Sequence, residues 1–249
     1  MFEQFQKPMI FAHRGACALA PENTLPSFEL AVAHHADAVE LDAKLSKDGV
    51  VMVIHDQSVD RTTDGIGKVN TLSLAELQAL DAGRIFGKAF TGVKIPTLDE
   101  VFEAIGQKVI VNVELTNYKS KHDALVEKVV DVVKRHKMEE RVLFSSFLPI
   151  NLVKSMALLP TTPVALLCLP GLMGIISRSK FSRHYSPQII HPYLIDVNQP
   201  YIEREHNAGR RVHVWTVNAE ADIRRLKSYE VDGLFTDNPL KTKNILEKR

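Results

Sequence analysis

Residues 38–56 read AVELDAKLSKDGVVMVIHD, and the reading of this stretch decides how the rest of the chain is organised. Residues 38–42 have the apolar character of a strand, with Glu40 and Asp42 two positions apart and therefore on one side of an extended backbone. Val39 and Leu41 face the other way, into packed surroundings, so the two carboxylates sit on a stiff element. Ser46, Lys47, Asp48 and Gly49 carry the chemistry of a tight turn, and residues 50–54 run back as a second strand ending in His55 and Asp56. One short segment thus offers hard oxygen ligands for a divalent cation and an imidazole that can move protons near neutral pH. Taken alone, the same pattern also fits a solvated acidic face and a turn, so the remainder of the chain has to decide.

Working outward, a short apolar run over residues 9–12 ends in His13, Arg14 and Gly15, and a helix over 25–35 is capped by Asn23 or Thr24. After residue 56 the rhythm breaks. Residues 57–95 are rich in turn formers, with a short helix capped by Ser73, and read as an insertion with some structure of its own. Thr97 and Glu100 form a capping box for a helix through residue 105, and residues 108–115 make a valine-rich strand holding Glu114. Strands are then predicted at 141–145, 162–168, 188–191, 211–217 and 231–236. Helices are predicted at 120–136, 151–159, 201–208, 219–229 and 239–248, with a weaker one at 172–181. With the insertion set aside, eight strand-helix units in a chain of 249 residues, without a Gly-rich dinucleotide loop, predict a TIM-type (β/α)8 barrel. The chain reads as one barrel domain, residues 1–249, with the insertion embedded after the second strand.

Composition narrows the function classes. Lys and Arg total 31 against 30 Asp and Glu, a formal net charge of +1, which carries no nucleic-acid footprint and no polybasic anchor. The two cysteines, Cys17 and Cys168, read as free thiols in a reducing compartment. The N-terminal residues lack the apolar core of a signal peptide, and the longest apolar stretch, 164–176, is broken by Pro170 and Gly171 and is too short to span a bilayer. The expectation is a cytoplasmic protein without a transmembrane segment.

In a barrel, the C-terminal ends of the strands converge on one rim. That rim is expected to gather His13, Arg14, Glu40, Asp42, His55 and Glu114, with Ser145, His191, Trp215 and Asp237 from later strands. Clustered carboxylates repel one another and resist ionisation unless a cation joins them. Trp215 suits either a platform for substrate or a place in the core, while His191, His213 and the His34-His35 pair read as structural or surface residues, and Cys17 as packing.

These residues, in this order, resemble the glycerophosphodiester phosphodiesterase family. The resemblance rests on His13-Arg14-Gly15 with Pro21-Glu22-Asn23-Thr24, Glu40-Leu41-Asp42, Asp48-Gly49, His55-Asp56 and Ile95-Pro96-Thr97-Leu98. It continues through Asn112-Val113-Glu114, Trp215-Thr216-Val217-Asn218, Asp232-Gly233 and Thr236-Asp237-Asn238-Pro239. It implies a barrel that hydrolyses small glycerophosphodiesters to glycerol 3-phosphate and an alcohol. By the same resemblance, Glu40, Asp42 and Glu114 hold one divalent cation, Mg²⁺ or Ca²⁺, His13 and His55 act as general acid and base, and Arg14 binds phosphate. One departure stands out: members of the family usually carry a lysine two residues after the third metal-binding glutamate, and this chain has Thr116 there. Lys119, Lys121 or Lys44 are the cations able to compensate, and Lys44 shares the face of Asp42 if that strand continues.

Two rivals remain at this level: a phospholipase D-type hydrolase acting on lysophospholipid, and a catalytically silent phosphodiester-binding barrel. The nearly all-apolar segment 166–176, following the fifth strand of the barrel, suits an acyl chain, a second copy in a homo-oligomer, or burial beneath a neighbouring loop.

Overall fold

The opening stretch forms β2 (Ala38–Leu45) and β3 (Val51–Val53), antiparallel partners with Ala43 opposite Val53. The computed structural model describes residue 2 and residues 4–120 and 123–248. Gly49, at φ +79°, takes the left-handed position of the connecting turn, a conformation that costs glycine no Cβ clash. The Ser46 hydroxyl donates to Asp48 and accepts from the Val50 amide, so the turn is tied by its own side chains.

Around β2 the sheet closes. β1 (Met9–Ala12), β2, β4 (Ile110–Leu115), β5 (Val142–Ser146), β6 (Val164–Leu167), β7 (Ile189–His191), β8 (Arg211–Val214) and β9 (Gly233–Thr236) are parallel neighbours in that order. β9 returns to pair with β1, and β1 with β2. This is an eight-stranded parallel barrel with β3 as an extra antiparallel strand. The expected helices appear as α1 (Leu25–Ala33), α3 (Leu98–Ile105), α4 (Leu125–Arg135), α5 (Pro149–Leu158), α6 (Gln199–Asn207), α7 (Glu220–Ser228) and α8 (Pro239–Glu247). The start of the helix expected over 120–136 includes positions 121 and 122, which lie outside the described residues.

Period-two alternation explains both faces of the barrel wall. Val39, Leu41 and Ala43 of β2, with Val111, Val113 and Leu115 of β4, are buried in one cluster with Phe28 of α1, Leu98 and Val101 of α3 and Val129 of α4. The alternate positions point inward. Ala38 and Ile110 pack with Met9, Phe11, Leu143 and Phe235 in the apolar floor of the barrel, and Glu40, Asp42, Asn112 and Glu114 stand above them.

Residues 57–95 contain α2 (Leu74–Ala79) and two short 3₁₀ turns, and have a small core of their own in Val59, Val69, Leu77, Ala82 and Ile95, packed on Met52 and Ile54. One element departs from expectation. The helix expected over 172–181 is replaced by two 3₁₀ turns, Gly171–Gly174 and Lys180–His184. Gly171 is at φ +60°, and the chain folds back so closely that a Cβ on Gly174 would collide with the Leu169 carbonyl and the Arg178 guanidinium. Arg178 donates to the carbonyls of Leu169 (2.7 Å) and Gly171 (2.5 Å), taking the place of helical hydrogen bonds.

Candidate active site

The acidic pair is positioned by strand register. Asp42 of β2 lies directly beside Glu114 of β4, and Glu40 beside Asn112, so that carboxylates 72 residues apart in sequence meet across one ladder. Ligand oxygens of Glu40, Asp42 and Glu114 all fall within 4.8 Å of one another. Glu40 and Asp42 are almost wholly buried, so this is no solvated acidic face. Burial, and then the neighbouring charges of Asp42 and Glu114, push the Glu40 carboxyl well up; burial and Asp42 push Glu114 up to about 8. Three carboxylates crowded this way with oxygen donors only are a fit for one hard divalent cation, which would relieve both the desolvation and the repulsion.

The surroundings fix the trio. Asn23, at φ +56°, donates from Nδ2 to Asp42 Oδ2 (2.8 Å) and accepts the Asp42 amide on Oδ1 (3.2 Å). The Arg14 amide donates to Glu40 Oε2 (2.8 Å), and Tyr118 Oη donates to Glu114 Oε1 (2.5 Å). Thr24, not Asn23, caps α1, which leaves the asparagine free for this role.

His13 and His55 have matched environments. The His13 amide donates to the Thr236 carbonyl across the β1–β9 seam, placing its ring beside Asp237, with Nδ1 and Oδ1 2.7 Å apart. The Ile54 amide donates to the Asp42 carbonyl and carries the next residue, His55, over the site, where Nδ1 lies 2.6 Å from Asp56 Oδ1. Each imidazole is oriented by a carboxylate on Nδ1, leaving Nε2 for chemistry. Cys17 also donates to Asp237 Oδ1 (3.2 Å), and burial raises its thiol pKa, so it stays protonated and supports Asp237.

His13, Arg14, Glu40, His55, Asn112, Glu114, Phe147, Leu167 and Trp215 line one cavity at the C-terminal rim. Trp215 is half-buried in its apolar wall, with Nε1 donating to the His191 carbonyl (2.8 Å) and its ring edge-on to Phe147. A larger hollow, about 910 Å³, lies among Lys108, Arg141 and Pro163 at the opposite end of the strands; the titratable constellation assigns the site to the smaller one. Arg14 donates to Glu22 (3.0 Å), and its Nε stands 3.6 Å from Asp42; burial opposes its charge, but Asp42, Glu40 and Glu22 together hold its pKa raised.

Lys44 and Thr116 are next to this cavity, in an adjoining cleft with Gln57 and Asn117. β2 runs on to Leu45, so Lys44 does share the inward face of Asp42, and its Nζ donates to Thr116 Oγ1 (2.5 Å) and to the Thr116 carbonyl (3.2 Å). Lys119 is exposed, and Lys121 lies outside the described residues. His191 ends β7 as expected but is turned into the barrel interior against His213, 3.2 Å between ring nitrogens, and away from the carboxylates.

Residues 13–241 match the family described as glycerophosphoryl diester phosphodiesterase, over nearly the whole chain. The chain belongs to that family. A glycerophosphodiester phosphodiesterase of Caldanaerobacter subterraneus subsp. tengcongensis is 39% identical over 97% of this chain and 99% of its own, and one from Bacillus altitudinis is 34% identical over 96% and 98%. Among solved structures, an Oleispira antarctica phosphodiesterase in complex with the product sn-glycerol-3-phosphate superposes with a TM-score of 0.88 at 32% identity, covering 97% of each chain. As a member of the glycerophosphodiester phosphodiesterase family, the chain is a phosphoric diester hydrolase acting on glycerophosphodiesters. The resemblance read from the motifs therefore holds, and so does the barrel.

Four residues of the site were not singled out in the sequence for the parts they take: Asn23, Arg61, Tyr118 and Phe147. Arg61 comes from the insertion. Its guanidinium donates to Asp56 (2.7 and 3.1 Å) and to Glu22 (2.8 and 2.7 Å), joining the loop after β3 to the loop after β1. Nothing in local spacing marks such a fork.

Proposed function

We propose that this enzyme hydrolyses glycerophosphodiesters with one divalent cation, Mg²⁺ or Ca²⁺, held by Glu40, Asp42 and Glu114, and with His13 and His55 dividing the proton transfers. The observation that carries the reading is the convergence of three carboxylates within 4.8 Å of one another beneath two carboxylate-oriented imidazoles. When bound, the cation would polarise a phosphoryl oxygen. Arg14, hydrogen-bonded to Glu22 and facing the same cavity, offers a planar cation to the phosphate, and Lys44 with Thr116 supplies a second positive charge from the adjoining cleft. Breaking the diester needs a proton taken from the nucleophile and another delivered to the leaving oxygen. The free Nε2 atoms of His13 and His55 perform these two transfers, while Asp237 and Asp56 hold the tautomers and stabilise each ring when it is protonated. Trp215, with Phe147, forms a wall for the apolar side of the glycerol or leaving alcohol.

A lysophospholipid is the second substrate class that the site favours, on one observation: the cavity wall at Leu167 leads directly into an exposed apolar loop. The test of the central reading is turnover of glycerophosphocholine by His13→Ala and His55→Ala. Each variant should lose activity by at least about a hundredfold, the scale of general acid-base catalysis, with substrate affinity little changed. Undiminished turnover in either would remove that histidine from the mechanism.

A further inference from the structure

Between Arg141 and Ile195 the chain contains no Asp or Glu at all, although 30 acidic residues are spread over the rest. Of the five cations in these 55 residues, Arg141 lies at the opposite end of the strands, Lys154 is paired with Glu127 and Arg178 with Asp196, which leaves Lys180 and Arg183 unopposed. Within this stretch lies the loop between β6 and β7, and its apolar side chains are outside: Leu172 is 85% exposed, Met173 74%, Ile176 78% and Phe181 62%. The segment is thus neither a helix nor buried beneath a neighbour. It is a projecting knob held from within, since Arg178 is spent on the Leu169 and Gly171 carbonyls and on Asp196 (2.9 Å), and Asp196 in turn accepts the Gly171 amide.

The nearest carboxylates beyond the loop are also engaged. Asp196 is paired with Arg178, and Glu205 with Arg204 and Arg210, while the Arg204 guanidinium reaches the Arg178 carbonyl and adds another partly exposed cation at the base of the knob. Lys180 is exposed and Arg183 half-exposed beside Phe181. Aliphatic and aromatic tips flanked by two unopposed cations, Lys180 and Arg183, are complementary to the acyl-headgroup boundary of an anionic bilayer.

We propose that the β6–β7 loop is a membrane-docking surface, which seats Leu172, Met173, Ile176 and Phe181 among the lipids of an anionic bilayer while Lys180 and Arg183 meet the phosphates. A second copy of the chain is the weaker occupant. A two-fold contact through this loop would oppose Lys180 and Arg183 to their own images. Docking has a consequence for the site. β6 ends at Leu167, which lines the catalytic cavity, so the loop would turn the active rim toward the bilayer and toward diesters released from or lodged in it. The docking itself stands on charge and exposure; only this consequence rests on the function proposed above.

The test is co-sedimentation of the full chain with vesicles of phosphatidylcholine alone or mixed with phosphatidylglycerol, at low and high salt. The wild type should sediment with the anionic vesicles, less so at high salt. The double variant Leu172→Ser/Ile176→Ser should bind about tenfold more weakly, and Lys180→Glu/Arg183→Glu should lose its preference for anionic lipid. Leu172, Ile176 and Lys180 are exposed and Arg183 half-exposed, and an unchanged thermal unfolding curve establishes that the variants are folded. Wild-type protein that stays in the supernatant with both vesicles, or variants that bind as well as wild type, would overturn the proposal. So would a wild-type dimer in sedimentation velocity that the Leu172→Ser/Ile176→Ser variant converts to monomer. Because the readout is lipid binding, it is independent of whether the chain cleaves glycerophosphocholine.

Discussion

The Lys44 ammonium sits almost fully buried with Thr116 as its hydrogen-bond partner, two positions past Asp42 on one strand and two past Glu114 on the next. Burial lowers its pKa, and the charges of Asp42, Glu114 and Asp56 oppose that shift, so the acidic site supports the cation that stands over it. We propose that Lys44, reaching Thr116 from the neighbouring strand, supplies the positive charge that Thr116 itself lacks. If this charge serves the phosphate, Lys44→Ala should lower kcat/KM for glycerophosphocholine at least about tenfold, the scale of one charge-assisted hydrogen bond. The exchange Lys44→Thr/Thr116→Lys should recover most of the loss, and Thr116→Lys alone, which crowds two ammonium groups, should not exceed wild type. Wild-type kinetics in Lys44→Ala would end the assignment. The inward direction of Lys44 was legible from the alternation of β2, whereas its partner was not. The two residues are 72 positions apart, and only strand register brings them together. Asn23 escaped for a related reason: its spacing fits a helix cap as well as it fits a hydrogen bond to Asp42, and local pattern cannot separate the two.

Among the elements, the insertion has the least periodicity and contributes the least legible contact. Arg61 is nearly half exposed, yet its fork fixes Asp56, the orienting partner of His55, and Glu22, the partner of Arg14. Arg61 hydrogen bonds hold the Asp56 carboxyl below the usual carboxylate range. Exposed ion pairs contribute little to stability, so Arg61→Ala should change the unfolding free energy by less than about 1 kcal/mol. It should nonetheless lower kcat by about tenfold, because His55 and Arg14 both lose a fixed partner. Thermal unfolding and steady-state kinetics measured together check this; a large stability loss with kcat intact would make the fork structural only. The β6–β7 segment shows the other way in which an element escapes sequence reading. Its apolar residues have helical density, but close folding about Gly171 and Gly174 and the capture of the carbonyls by Arg178 favour 3₁₀ turns over a helix.

For the whole molecule, the barrel was legible because eight repeats of strand and helix leave few topologies, and the strand ends carrying His13, Glu40, Asp42 and Glu114 were placed by that topology alone. The barrel interior was less so, since residues of β7, β8, β1 and β9 meet there without local signal. His191 and His213 share that interior with Phe11 and Phe235. Burial lowers the His191 pKa to about 3 from 6.5, and lowers His213 as well. Between those limits the unfolded chain binds a proton that the folded barrel refuses, so the His191 contribution to stability is full above pH 6.5 and is lost as pH falls toward 3. The loss is on the order of 5 kcal/mol over the whole range. Urea unfolding of wild type and His191→Leu at pH 7 and pH 4.5 should therefore show a smaller acid loss in the variant; equal losses would mean that another group governs the acid limb.

Among the described residues, no helix is long and apolar enough to cross a membrane. The most direct test of the account is release of glycerol 3-phosphate from glycerophosphocholine by metal-stripped protein, with Mg²⁺ or Ca²⁺ added back singly, in wild type and in Glu114→Gln. No turnover is expected without metal, with restoration by one of these ions in wild type and little restoration in the variant. Full turnover by metal-free protein, or metal-restored turnover in Glu114→Gln equal to wild type, would contradict it.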